Sequence, residues 1–205
     1  MLTYTKDKNG QDILLDNNGI QIMMEWEMPL MQAHIDELKP KGNVLEIGFG
    51  LGYSATQILK YDIENYTIIE CDPTVIKKAK EWAKDYNNIN IIEARWQDIF
   101  EDLNVYDTIF FDPTSAPEKP GLPYKLVENN WHLIFIELAI NHLMRKGSRL
   151  SLFLPETAAE RYREFIKKQH RISYYEQEFR TNISDECRYK RQDDELIIPI
   201  IEKIV

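Results

Sequence analysis

The chain has 205 residues, 43% hydrophobic and 29% charged, enough for one folded domain whose sheet carries helices on both faces. A formal net charge of −9 and a sequence pI near 5.0 argue against a nucleic-acid partner, because binding phosphates needs a basic surface; a cationic substrate suits the balance better. No apolar run approaches the length of a membrane span, and Met1 is not followed by a basic patch and an apolar core, so the expectation is a cytoplasmic protein without membrane contact.

Residues 1–22 contain two turn signals, Asn9-Gly10 and Asn18-Gly19, with Ile13, Leu14 and Leu15 between them. They are expected to form a hairpin or flap attached to a main domain over residues 23–205. Next, Met23-Met24-Glu25-Trp26-Glu27-Met28-Pro29-Leu30-Met31 continues through His34, Ile35 and Leu38 at helical spacing until Lys39-Pro40 stops it. On spacing alone this is an amphipathic helix, with Glu25 and Glu27 facing water and the methionines and Trp26 in the core.

From Asn43 the pattern alternates short apolar strands with amphipathic helices, which predicts an α/β, Rossmann-like domain with a mostly parallel central sheet. The first strand, Asn43 to Ile47, breaks into Gly48-Phe49-Gly50-Leu51-Gly52, where glycines let the backbone turn sharply and approach a ligand. A second strand ends at Glu70-Cys71-Asp72, roughly 20 residues past the glycines, where such folds place the acid that binds ribose hydroxyls. Glu70 is the candidate for that role, and Asp72 is better placed to cap the helix starting near Pro73. The third strand ends at Arg95-Trp96-Gln97-Asp98. Here Trp96 either flanks an adenine ring or packs beneath the strand end, and Asp98 or a nearby amide reads the amino group.

The fourth strand, Tyr106 to Phe111, runs into Asp112, an acid in the crevice where ligands bind and the best candidate for chemistry. A proline-rich loop from Pro117 to Pro123 is expected to rim the site. Trp131 to Met144 reads as a helix, Arg149 to Leu154 as a fifth strand, Ala158 to Gln169 as a helix, and Ser173 to Arg180 with Leu196 to Val205 as late strands. His34, His132, His142 and His170 lack metal-ligand spacing and read as surface or packing residues, so no metal is expected. Cys71 and Cys187 read as reduced thiols.

The glycine loop with Glu70 resembles the cofactor half of S-adenosyl-L-methionine-dependent methyltransferases. More specifically, Met23 to Met31, Leu45-Glu46-Ile47-Gly48-Phe49-Gly50, Ile69-Glu70-Cys71, Arg95-Trp96-Gln97-Asp98 and Phe111-Asp112 resemble the guanidinoacetate N-methyltransferase family and its arginine-methylating relatives. Cys187-Arg188-Tyr189 and Ile198-Pro199 extend the likeness to the tail. The resemblance implies that Glu27 reaches a substrate guanidinium and Asp112 accepts its proton, with Met23, Glu25, Trp26 and Glu156 around the substrate. It also implies cofactor contacts from Met31, Glu46, Gly48, Phe49, Gly50, Gly52, Tyr53, Ser54, Glu70, Cys71, Trp96, Gln97 and Asp112, with S-adenosyl-L-homocysteine as the product.

Two departures bear on substrate. Asp112-Pro113-Thr114-Ser115 replaces the family's threonine and aromatic with a proline, partly resembling amino-methyltransferases of DNA bases or glutamine without their stacking aromatic. Glu156 stands where guanidinoacetate enzymes hold the substrate carboxylate and would repel it. The expected substrate is therefore a small guanidino compound with a neutral or cationic far end, acted on by a monomer or homodimer. A protein or peptide arginine is the alternative, and a methyltransferase-like binding module without catalysis is a more distant one. A Rossmann oxidoreductase gives Met23 to Met31 no role.

Overall fold

The computed structural model describes residues 1–113, 131–154, 156–187 and 195–205, without the side chains of residues 156–159, 161 and 195. The expected rim from Pro117 to Pro123, the Glu156 side chain and residues 188–189 lie outside the described residues.

Residues near the amino terminus form a three-stranded antiparallel sheet, β1 (Thr3–Lys6), β2 (Asp12–Leu15) and β3 (Gln21–Met24). Both Asn-Gly signals lie in its turns, and Gly10 and Gly19 adopt φ of 80° and 73°. The third strand carries Met23 and Met24, which the helical spacing had assigned to a helix. That helix, α1 (Met28–Leu38), begins five residues later because Pro29 fits only its first turn, and a 3-10 turn over Glu25–Glu27 joins strand to helix. It ends where Lys39 turns left-handed at φ 52° before Pro40. Ile13 and Leu14 pack into the same core cluster as Leu30 and Ile35 of α1, so the amino-terminal sheet shares the core of the main domain.

The main sheet comprises β4 (Gly42–Ile47), β5 (Ile63–Glu70), β6 (Ile89–Glu93), β7 (Tyr106–Phe111), β8 (Met144–Leu152), β9 (Ile172–Arg180) and β10 (Glu195–Lys203). Its order is β6-β5-β4-β7-β8-β10-β9, parallel throughout except that β10 runs antiparallel to β8 and β9. The expected late strands are β9 and β10, and the fifth strand starts five residues earlier than its apolar run, in the polar stretch from Met144. Between β4 and β7 the direction of strand addition reverses, which creates a crevice at their carboxyl ends.

Strand alternation divides the core in two. Val44, Ile68 and Phe110 face α1, α2 (Tyr53–Ile58) and α3 (Pro73–Ala83). Leu45, Ile47, Ile69, Ile109 and Phe111 face the short α4 (Trp96–Ile99) and the helices α5 (Trp131–Leu138) and α6 (Glu156–Lys167). Asp72 caps α3 as expected, its Oδ1 accepting the N–H groups of Thr74 at 2.9 Å and Val75 at 3.3 Å. α5 ends at Leu138, earlier than its periodicity predicts, and a π-helical turn over Ala139–Leu143 leads into β8. His34 and His132 are buried, as packing residues would be. No helix of the described residues is long and apolar enough to cross a membrane.

Candidate active site

The loop after β4 lies at the reversal point of the sheet. Gly48, Gly50 and Gly52 all adopt positive φ, at 90°, 53° and 80°. A Cβ at Gly48 would stand 2.6 Å from the backbone oxygen of Asp112, one at Gly50 2.6 Å from Met23 Sδ, and one at Gly52 2.7 Å from Phe49 Cζ. The glycines therefore permit the loop to pack against the protein's own chain. Close packing brings the end of β7, the end of β3 and the loop into one cluster. Met23 is fixed there, its Sδ accepting the Leu51 N–H at 3.3 Å.

On one side of the loop stands Glu70, at the end of β5. Its Oε2 accepts the Phe49 N–H at 3.1 Å, and its Oε1 accepts those of Cys71 at 2.7 Å and Asp72 at 2.9 Å. Three backbone donors hold the carboxylate at the crevice rim, and its remaining lone pairs can accept hydroxyl donors. Cys71 beside it is exposed, and partial loss of solvent around its sulfur, with the nearby Glu70 charge, raises its thiol pKa.

On the other side the structure collects acids. Asp112 continues the ladder of β7, donating its N–H to the Ile47 carbonyl at 3.0 Å, which puts its side chain on the same face as Phe110. Glu27 is buried, and its Oε1 accepts the Met24 N–H at 2.7 Å. This acid does not face water, as the amphipathic reading would have it. Glu25 is half-buried and accepts the Asp12 N–H at 2.7 Å, tying the start of β2 to the turn. The Asp112 carboxyl is pushed well above the usual carboxylate range, first by burial, then by the negative charge of Glu27 and of Glu46. Such a pocket draws in a cation, which relieves both the repulsion and the desolvation. Among the described residues no group of three or more His, Cys, Asp or Glu side chains is arranged to hold a metal ion.

Several expected ligand contacts are buried among the protein's own side chains. Glu46 is wholly buried under the loop and accepts hydrogen bonds from the Ser54 and Tyr66 hydroxyls. Burial raises its pKa to about 7, against the lowering effect of those two bonds. Glu46 and Ser54 thus support the loop from inside. Met31 is also wholly buried, in the core formed by Leu30 and Ile35, because α1 turns that face toward the sheet. Trp96 packs edge-on against Phe111 at 5.6 Å and Phe135 at 5.2 Å, the contacts expected of a tryptophan packed beneath the strand end. Gln97 is buried next to it, and Trp26 is buried beside Glu27.

Sequence reasoning missed Tyr66 and Tyr4. Tyr66 lies two residues before Ile68 on the face that carries Glu46, so strand alternation was the available signal. Tyr4, in β1, donates its hydroxyl to the Gly50 carbonyl at 2.7 Å, a long-range contact without a local signature.

Residues 3–169 match the family model described as guanidinoacetate N-methyltransferase. The chain belongs to this family. The family is one of S-adenosylmethionine-dependent N-methyltransferases. Among curated relatives, protein arginine N-methyltransferase 2 of Candida glabrata is 36% identical over 118 residues, 54% of this chain and 27% of that protein. The protein of the same name from Saccharomyces cerevisiae is 31% identical over 107 residues, 49% of this chain and 26% of its own length. The family member described here thus matches only a minor part of these longer relatives. Its fold is also that of the N-methyltransferase NodS from Bradyrhizobium japonicum, solved with S-adenosyl-L-homocysteine, at TM-score 0.61 and 14% identity over 87% of both chains. An rRNA methylase from Streptococcus thermophilus shares the fold at TM-score 0.56 and 12% identity, over 86% of this chain and 95% of that one.

Proposed function

We propose that this methyltransferase acts on a guanidino nitrogen of arginine within a protein or peptide. What supports the reading is that Glu27 is buried in the turn after β3 and Asp112 follows β7 against the glycine loop, with the charge of Glu27 raising the proton affinity of Asp112. The names of the curated relatives favour a protein-borne arginine over the small guanidino compound that the sequence suggested. The net charge of −9 agrees with a cationic acceptor and weighs against nucleic acid. Neither Cys71 nor Cys187 is in a disulfide, which agrees with a reducing cytoplasm.

The residues present fit S-adenosylmethionine. Glu70 would hold the ribose, and the backbone from Gly48 to Gly52 would border the amino-acid end. When bound, the cofactor supplies an electrophilic methyl group. The chain's own residues do the rest. A guanidinium is planar and presents its N–H groups as a fork, which a carboxylate matches in bidentate geometry. Glu27, fixed through Oε1 by Met24, would orient that fork, and Met23 and Trp26 would exclude water from it. A guanidinium has a pKa above ~12, so its nitrogen is not nucleophilic until it loses a proton. Asp112 would accept that proton as the methyl group transfers. A bound guanidinium would hold Asp112 as the carboxylate, and the proton would leave as methylation makes the nitrogen far more acidic. The amino-terminal sheet would act as a lid over this site.

The test is methyl transfer from labelled S-adenosylmethionine to capped arginine peptides, free arginine, agmatine and guanidinoacetate, with wild type, Glu27→Gln and Asp112→Asn. The peptides should be the preferred acceptors. Each variant should lose at least about 100-fold in kcat/KM while binding S-adenosylhomocysteine as before. Preference for guanidinoacetate would overturn the reading.

A further inference from the structure

Tyr53 opens α2 immediately after Gly52, and the loop before it touches both halves of the site. Its hydroxyl oxygen is buried and has no hydrogen-bond partner among the described residues. A phenol in that state is expensive to keep, since a buried hydroxyl loses its water without gaining a partner. Tyr4, the other tyrosine at this loop, is satisfied by the Gly50 carbonyl at 2.7 Å.

The surroundings of the two hydroxyls differ. Met23 Sδ accepts the Leu51 N–H at 3.3 Å, and it fills the space where a Gly50 Cβ would be. Through this contact the turn that carries Glu25 and Glu27 is seated on the loop two residues before Tyr53. After burial, the charges that raise the Tyr53 pKa are Asp12, Glu25 and Glu27, whereas those acting on Tyr4 are Glu70 and Asp72. Of these acids, Asp12 is paired with Lys6 at 2.7 Å. Tyr4 thus meets the loop on the side where Glu70 stands, and Tyr53 follows the part of the loop on which the turn with Glu25 and Glu27 is seated.

We propose that the Tyr53 hydroxyl binds the acceptor guanidinium, accepting an N–H that Glu27 and Asp112 do not take, and is not a cofactor contact. The inference rests on the arginine reading given above. A guanidinium offers five N–H donors, so two carboxylates leave room for a third acceptor. A neutral phenol serves better there than another carboxylate. It fixes the plane of the group without adding negative charge, which would hold the departing proton more tightly.

Tyr53→Phe removes the oxygen and keeps the ring. Calorimetry with S-adenosylhomocysteine and steady-state methylation of a capped arginine peptide separate the two sides of the site. The expected result is an approximately tenfold or larger rise in KM for the peptide, S-adenosylhomocysteine affinity within twofold of wild type, and a melting temperature equal or higher. Weakened S-adenosylhomocysteine binding with an unchanged peptide KM would put the hydroxyl on the cofactor side and overturn the proposal, as would no change in either. A wild-type protein that binds S-adenosylhomocysteine but methylates no guanidino compound would instead remove the arginine reading, and the role of Tyr53 with it.

Discussion

The Tyr4 hydroxyl donates a 2.7 Å hydrogen bond to the carbonyl oxygen of Gly50, joining the first strand of the chain to the middle glycine of the loop. Leu2 extends the same contact, its N–H meeting Asp72 at 2.8 Å, and the Lys78 ammonium lies 4.0 Å from the centre of the Tyr4 ring. Strand β1 therefore lies along the edge where Glu70 stands. If this sheet is a lid, the Tyr4 bond is its latch. Tyr4→Phe should then speed release of S-adenosylhomocysteine up to roughly tenfold and cost about 1 kcal/mol of stability, as expected for one net hydrogen bond. Stopped-flow dissociation is the check, and an unchanged off-rate removes the latch. Deleting residues 1–22 is a poorer probe, because Ile13 and Leu14 belong to the main core.

The loop glycines should not be equivalent to those of the amino-terminal turns. Gly10 has φ 80° and open space around its missing Cβ, so Gly10→Ala incurs only the left-handed backbone strain of roughly 1–2 kcal/mol. At Gly48 the new Cβ would meet the backbone oxygen of Asp112 at 2.6 Å, and neither partner is a flexible side chain. Gly48→Ala should therefore lower the melting temperature by several degrees more than Gly10→Ala, and it should displace Asp112 enough to abolish turnover. Equal thermal shifts in the two variants would mean that the loop does not need this close approach.

Strand alternation made much of the fold legible. Tyr106 to Phe111 is a strand with the bounds its apolar run suggested, and Asp72 with Pro73 starts a helix where the cap chemistry required one. Periodicity failed at Met23, because a strand, a 3-10 turn and a helix follow one another there and their apolar residues happen to fall at helical spacing. Burial was legible only in part. The sequence marks Glu46 as an acid beside the glycines, but that its carboxylate turns inward follows from Tyr66, which is 20 residues away and meets it only across the sheet. Trp96 posed the same problem, since a tryptophan at a strand end has the same local pattern whether it stacks on a ligand or on Phe135.

Trp96 offers a direct discrimination between those two roles. In the core position, Trp96→Phe leaves a cavity beside Phe111 and Phe135 and should cost about 1–3 kcal/mol of stability, measured by denaturant unfolding. Affinity for S-adenosylhomocysteine should stay within about twofold, because the indole is buried against Phe111 and Phe135. A variant of wild-type stability that bound the cofactor tenfold more weakly would restore the adenine contact.

Glu46 gives the protein a pH dependence of predictable sign. Its folded-state pKa of about 7 exceeds the ordinary 4.5, so the folded protein holds this proton more tightly than the unfolded chain does. The stabilisation is complete below pH 4.5 and is lost as the pH rises through 7, a change of about 3 kcal/mol. His34 and His132, both held near pKa 3 by burial, slope the other way, since each destabilises the fold as the pH falls below 6.5. The Glu46 contribution must therefore be read as the difference between wild type and Glu46→Gln. Between pH 4.5 and 7.5 the stability of wild type relative to this variant should fall by about 3 kcal/mol. A constant difference across that range would mean that Glu46 ionises normally, with Ser54 and Tyr66 fully offsetting its burial.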